Sequence, residues 1–96
     1  MQVEAQIQRY HIVQKDLLEL IQFHNMPVSP YYLDRFTTTD YWTFKTWFYW
    51  FSGSGSVEER IDTLATRLGV KLDDFAPEAI EALKNNLEWL IVLSEI

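Results

Sequence analysis

The spacing of apolar residues along this chain predicts helices over most of its length. Val3, Ile7, Tyr10, Val13, Leu17, Leu18, Leu20 and Ile21 fall on one broad arc when projected at about 100° per residue. Gln8, Lys15, Glu19 and Gln22 lie opposite, and Ile12 and Phe23 sit off the arc on the far side. An amphipathic helix over residues 3–24 is expected. It should stop near His24-Asn25, because Pro27 disfavours a helical Met26 and has no N–H to continue the ladder. Ser29-Pro30 reads as a capping serine with proline at the first helical position, opening a short turn over residues 31–36. Thr37-Thr38-Thr39-Asp40 interrupts it, and Thr39 or Asp40 can cap the next element.

Residues 40–52 fit two patterns. Eleven of the fifteen aromatic residues lie between Tyr31 and Phe51, and eight of them fall in the eleven residues Tyr41–Phe51. Such residues favour strands, and a strand would put Trp42, Phe44, Phe48 and Trp50 on one face with Thr46. A helix would point aromatics nearly all round, which implies burial on most sides. The helical neighbours, the lack of a second strand to pair with and Gly53 at the end favour helix.

Ser52-Gly53-Ser54-Gly55-Ser56 reads either as a flexible loop or as an inserted linker joining two once-separate pieces, residues 1–51 and 57–96. Ser56-Val57-Glu58-Glu59 is a capping box. It opens a helix to Leu68 with Ile61, Leu64, Ala65 and Leu68 on one side and Gly69 as its stop. Pro77 and Glu78 open a last helix toward Ile96, with Asp74 and Glu78 at its positive end. That helix has two apolar faces. Ile80, Leu83, Leu87, Leu90 and Ile91 make the first; Trp89, Val92, Leu93 and Ile96, with Ala82, make the second.

The expected fold is therefore all-α and a single domain over residues 1–96. It is a small orthogonal bundle of four or five helices, the long first and last ones sandwiching an aromatic-rich central helix.

Composition changes the picture mainly by exclusion. Ninety-six residues allow one modest core, and a hydrophobic fraction of 48% argues against disorder. Cysteine is absent, which removes disulfides, thiolate metal sites and a cysteine nucleophile, and fits a cytoplasmic setting. No apolar run reaches the length of about 20 residues that a membrane span needs, and the N-terminus lacks a signal-peptide pattern. The net charge is −6. Residues 1–56 hold five acids against four bases, and residues 57–96 hold nine against four. An acidic surface disfavours nucleic acid and favours a basic partner or plain solubility.

Candidate chemistry is sparse. His11 and His24 point to different sides of the first helix and cannot share a metal. Asp73-Asp74 lacks the spacing of a calcium loop, and Gly53 and Gly55 are followed by acids that would repel phosphate. No nucleophile and base come together, so no enzyme activity, metal or cofactor is expected.

Residues 63–70, Thr-Leu-Ala-Thr-Arg-Leu-Gly-Val, with Phe75 beyond, resemble the first helix and turn of a helix-turn-helix motif. The resemblance implies a DNA-binding regulator. Asp73, Asp74 and Glu78 stand where phosphates would lie, and Pro77 breaks the reading helix.

Tryptophan and tyrosine in such density point instead to an interaction surface. The expected function is a non-enzymatic protein-interaction module, an adaptor, inhibitor or regulatory subunit. Its partner face would hold Trp42, Lys45, Trp47, Tyr49, Trp50, Asp73 and Asp74. Alternatives are the DNA-binding regulator and a small-molecule pocket lined by Trp42, Trp47 and Trp50. The strip Trp89, Val92, Leu93 and Ile96 is either a homodimer interface or covered within the chain by the aromatic helix.

Overall fold

The apolar arcs become five α-helices in a computed structural model that describes residues 2–95, with Gln2 and Thr38 in their backbone alone. They are α1 (Gln2–Phe23), α2 (Pro30–Thr38), α3 (Tyr41–Phe51), α4 (Val57–Leu68) and α5 (Pro77–Glu95), with a 3-10 turn over Leu72–Asp74. No strand occurs among the described residues. The aromatic segment is a helix, as its neighbours imply.

Each helix end has a local cause. Past α1, Asn25 takes a positive φ of 50°. The N–H of Met26 reaches the Ile21 carbonyl at 3.0 Å and that of Asn25 reaches Gln22 at 3.2 Å. This is a Schellman stop with asparagine in the left-handed position, and the buried Met26 and Ile21 supply the apolar side chains that accompany it. The same stop ends α4. Gly69 has φ of 83°, its N–H bonds Thr66, and Val70 bonds Ala65 while burying its own side chain.

The helix starts differ from one another. Asp40 caps α3, accepting from the Thr43 N–H at 3.0 Å and the Thr43 hydroxyl at 2.8 Å. Ser56 caps α4 through the Glu59 N–H, as the capping box implies. Ser29 makes no side-chain cap bond to α2, so Pro30 alone sets that start.

One hydrophobic cluster takes side chains from all five helices. Tyr10, Val13, Leu17 and Ile21 come from α1; Tyr41, Phe44 and Phe48 from α3; Leu83, Leu87, Leu90 and Ile91 from α5. The rings of Tyr10, Phe44 and Phe48 form its centre. Tyr10 to Phe44 is 4.7 Å between centroids and Phe44 to Phe48 is 4.8 Å. Phe36 closes the group from α2. The long first and last helices therefore flank the aromatic helix, and the buried tyrosine hydroxyls find carbonyls. Tyr10 donates to Thr39 at 2.9 Å and Tyr41 to Leu93 at 3.3 Å.

Arg60 is, among the described residues, the one charged side chain that is buried. Its Nε and Nη2 donate to the Ser52 hydroxyl at 3.2 and 2.7 Å, and its Nη1 pairs with Glu95. Ser52 is itself fully buried and its N–H caps the end of α3 on Phe48. The Gly–Ser segment is thus fixed at both ends: Ser52 holds Arg60 and Ser56 caps α4.

This packing makes two outcomes expected. Ser52→Ala leaves two guanidinium donors facing a methyl group, which costs about 1–3 kcal/mol. The melting temperature should drop by at least roughly 4 °C. A melt unchanged from wild type would show that the Arg60 contact is inert. The second outcome concerns base. Burial raises the Tyr10 hydroxyl well above its usual range, the nearby Asp40 carboxylate raises it further, and burial raises Tyr41 as well. Above pH ~10 the unfolded chain loses these protons first, so stability is full below that pH and falls as pH rises past it. Denaturant melts across pH 8–11.5 should show that decline, and Tyr10→Phe should flatten it.

Candidate functional site

A helix can present only part of its circumference to a core, and α3 has aromatics on every side. The structure divides them. Tyr41, Phe44 and Phe48 turn inward, with Phe51 and Trp47 half-buried at one edge and Lys45 at the other. Trp42, Tyr49 and Trp50 turn outward, 54%, 55% and 78% exposed, with Thr43 and Thr46 exposed between them. The expectation that a helix of this composition would be buried on most sides is corrected here: nearly half of it faces solvent.

The outward residues enclose a shallow hollow of about 590 Å³, lined by Trp42, Thr43, Thr46, Trp47 and Trp50. Trp47 is the fixed wall. Its ring stacks on Phe51 at 4.5 Å with 17° between planes and meets Phe36 edge-on at 5.9 Å. Trp42 is held by Tyr41 edge-on at 5.1 Å. The two threonines form the floor. Thr46 donates its hydroxyl to the Trp42 carbonyl at 3.1 Å, and Thr43 donates to Asp40. Those same contacts with Thr43 keep the exposed Asp40 carboxyl below its usual range, so it stays ionised beside the hollow.

On the other side of Trp50 lies a second hollow of about 460 Å³, lined by Tyr49, Trp50, the Gly53-Ser54-Gly55 loop, Arg60 and Glu95. Trp50 is the wall common to both.

No family model, no curated protein and no solved structure matches this chain.

Of the partner-face residues expected from sequence, Trp42, Trp47 and Trp50 come together around one hollow and Tyr49 joins them through the next. Lys45 lines neither; its Nζ lies 5.9 Å from the Trp42 ring. Asp73 and Asp74 are not part of this face. They sit on the exposed 3-10 turn and line a separate hollow of about 650 Å³ with Asp62, Thr66 and Lys71. That hollow shares no residue with the one among the tryptophans. The carboxylates next to the aromatic face are instead Asp40 and Glu95.

The second apolar strip of α5 is broken up within the chain. Leu93 is buried in the core, and the Arg9 guanidinium stacks 3.9 Å over Trp89. Trp89 is 37% and Val92 39% exposed, while Ile96 lies outside the described residues. The cover comes from α1 as well as from the aromatic helix.

Helix-turn-helix geometry is not what residues 63–75 adopt. Residues 69–76 separate α4 from α5, where that motif uses a turn of about 3–4 residues. The exposed face of α5 carries Glu78, Glu81 and Glu88 beside Lys84.

Among the described residues no group of three or more His, Asp or Glu side chains could hold a metal. No described helix is long and apolar enough to cross a membrane.

The division of α3 is directly testable. Trp50→Ala removes a ring that is mostly in water and should change stability by no more than about 0.5 kcal/mol. Phe48→Ala empties a fully buried site and should cost roughly 3–5 kcal/mol. Urea titrations compare the two, and near-equal losses would mean that Trp50 belongs to the core.

Proposed function

We propose that the chain is a non-enzymatic protein-interaction module whose working surface is the outer face of α3. The observation that carries this reading is the exposure of Trp42, Tyr49 and Trp50 on one side of a helix whose other side anchors the core. Large aromatics cost the most to leave in water, yet the fold leaves three of them there and positions them on a rigid element. Tryptophan and tyrosine on such an element are the side chains that dominate protein interfaces, where one anchor often contributes about 2 kcal/mol or more. The walls are prearranged by the Phe51 and Phe36 contacts to Trp47, which lowers the ordering cost of binding.

A second reading draws on the same hollow: a small-molecule seat among Trp42, Trp47 and Trp50. These three rings do surround one space. The space is a shallow depression on a helix face, however. Small-molecule sites bury most of their ligand, and this shape suits a side chain projected from a larger partner. Self-association through α5 has less support, because Leu93 and much of Trp89 are already covered.

The test is affinity capture on the full chain and on the Trp42→Ala/Trp50→Ala variant, followed by direct binding of the captured protein. The expected result is a protein held by the wild type with the variant weakened at least about 30-fold, as loss of a hot-spot anchor implies. Circular dichroism should show the variant still folded. A partner bound equally by both chains would move the surface elsewhere.

A further inference from the structure

Resting on that reading, we infer that the Trp42–Trp47–Trp50 hollow is a seat for a guanidinium, and that its occupant is an arginine side chain on a basic segment of the partner protein. The chemistry of the lining leads there. Three indoles supply walls whose faces carry negative quadrupole potential. The two floor hydroxyls have already committed their hydrogens, Thr46 to the Trp42 carbonyl and Thr43 to the Asp40 carboxylate. Each therefore offers a visitor lone pairs only. Among the described residues no cationic side chain lines the hollow. A carboxylate or phosphate would meet two hydroxyl acceptors, electron-rich ring faces and the Asp40 carboxylate, with only the indole N–H groups as side-chain donors to set against them, which is unfavourable. A guanidinium brings five donors, no acceptor and a flat face that stacks on indole.

Lysine suits the hollow less well. Its ammonium is strongly hydrated, and an open depression cannot compensate the loss of that water. The chain already uses its tryptophans in this way elsewhere. Arg9 stacks over Trp89 at 3.9 Å; at the rim of the hollow itself Arg35 lies 5.9 Å from the Trp47 ring and Lys45 5.9 Å from the Trp42 ring, and neither lines it. Charge adds a longer-range pull. The ionised Asp40 carboxylate flanks the hollow at the start of α3 and the net charge of the chain is −6, while Glu95 beyond Trp50 is already paired with Arg60 and Lys45 lies 5.9 Å from the Trp42 ring. The negative charge of the whole chain favours encounter with a basic segment, and Asp40 is the carboxylate at the hollow itself.

The experiment follows the indole N–H signals of the four tryptophans in the ¹⁵N-labelled full chain. Short Gly/Ser peptides carrying one central arginine, lysine or citrulline are titrated in, citrulline being the neutral isostere of arginine. The arginine peptide should shift the signals of Trp42, Trp47 and Trp50 and leave Trp89 unmoved. The citrulline peptide should bind at least about fivefold more weakly, the size of a cation–π contact at a partly exposed site. Trp50→Ala and Trp42→Ala, both exposed positions, should stay folded and lose the response.

Equal binding of arginine and citrulline peptides overturns the proposal, as does a response confined to Trp89 or absent altogether. A response of the three indoles to phosphatidylcholine vesicles but not to the arginine peptide also overturns it and assigns the rings to a lipid surface. Failure here is separable from failure of the interaction reading. If a captured protein partner still depends on Trp42 and Trp50 while the peptides show no charge preference, the face binds protein by apolar contact alone.

Discussion

A helix has one inward side, and α3 carries more aromatic surface than one side can hold. That constraint organises the molecule. Phe44 and Phe48 occupy the inward arc and meet Tyr10, which places α1. Tyr41 reaches the Leu93 carbonyl, which places the end of α5. Phe36 arrives from α2 to close the ring cluster. The rest of the aromatic surface is left outside because no element is available to cover it. The outward tryptophans are thus a by-product of packing in geometry and the source of the proposed function in chemistry.

Polar contacts then hold this arrangement in register. The Arg60 guanidinium ties Ser52 at the end of α3 to Glu95 at the end of α5, across the base of the Trp50 side. Arg60 is buried while Glu95 is half exposed, so the pair adds little net stability; leaving the Arg60 guanidinium without its Ser52 partner is the costly change, and that favours one register of α3 against α4. The rigid backing of Trp47 by Phe51 and Phe36 does the same for the hollow. Here the stability of the fold and the preparation of the surface come from the same contacts.

Much of this is legible in the residues. The apolar arcs locate α1, α4 and α5, and the capping box and Gly69 set the bounds of α4. Asn25 as a left-handed stop is less visible, because asparagine visits that conformation more readily than most residues but far less regularly than glycine; here the burial of Met26 accompanies it. The grouping of Trp42, Trp47 and Trp50 is readable as a set. The sharing-out of α3 between core and solvent is not, since periodicity cannot say which aromatics find partners when every direction holds one. Thr43 and Thr46 as the floor of the hollow are easily passed over among so many rings. Their signal is nonetheless present: Trp42, Thr46 and Trp50 recur every fourth residue, and that spacing marks one face of a helix. Charge alone groups Asp73 and Asp74 with the aromatic face, and charge carries no information about distance.

The crossing of the loop after α1 against the end of α4 has a mechanical consequence. The Ser29 N–H bonds the Leu68 carbonyl at 3.3 Å, and a methyl group added at Gly69 would lie 3.2 Å from the Pro27 carbonyl. The two halves of the chain are therefore joined here as well as through the covalent Gly–Ser segment, by a backbone contact far removed from that segment in sequence. The covalent segment sets the order of the chain. The closure between the loop after α1 and the end of α4 adds a backbone tie to the shared core that already holds the two halves together.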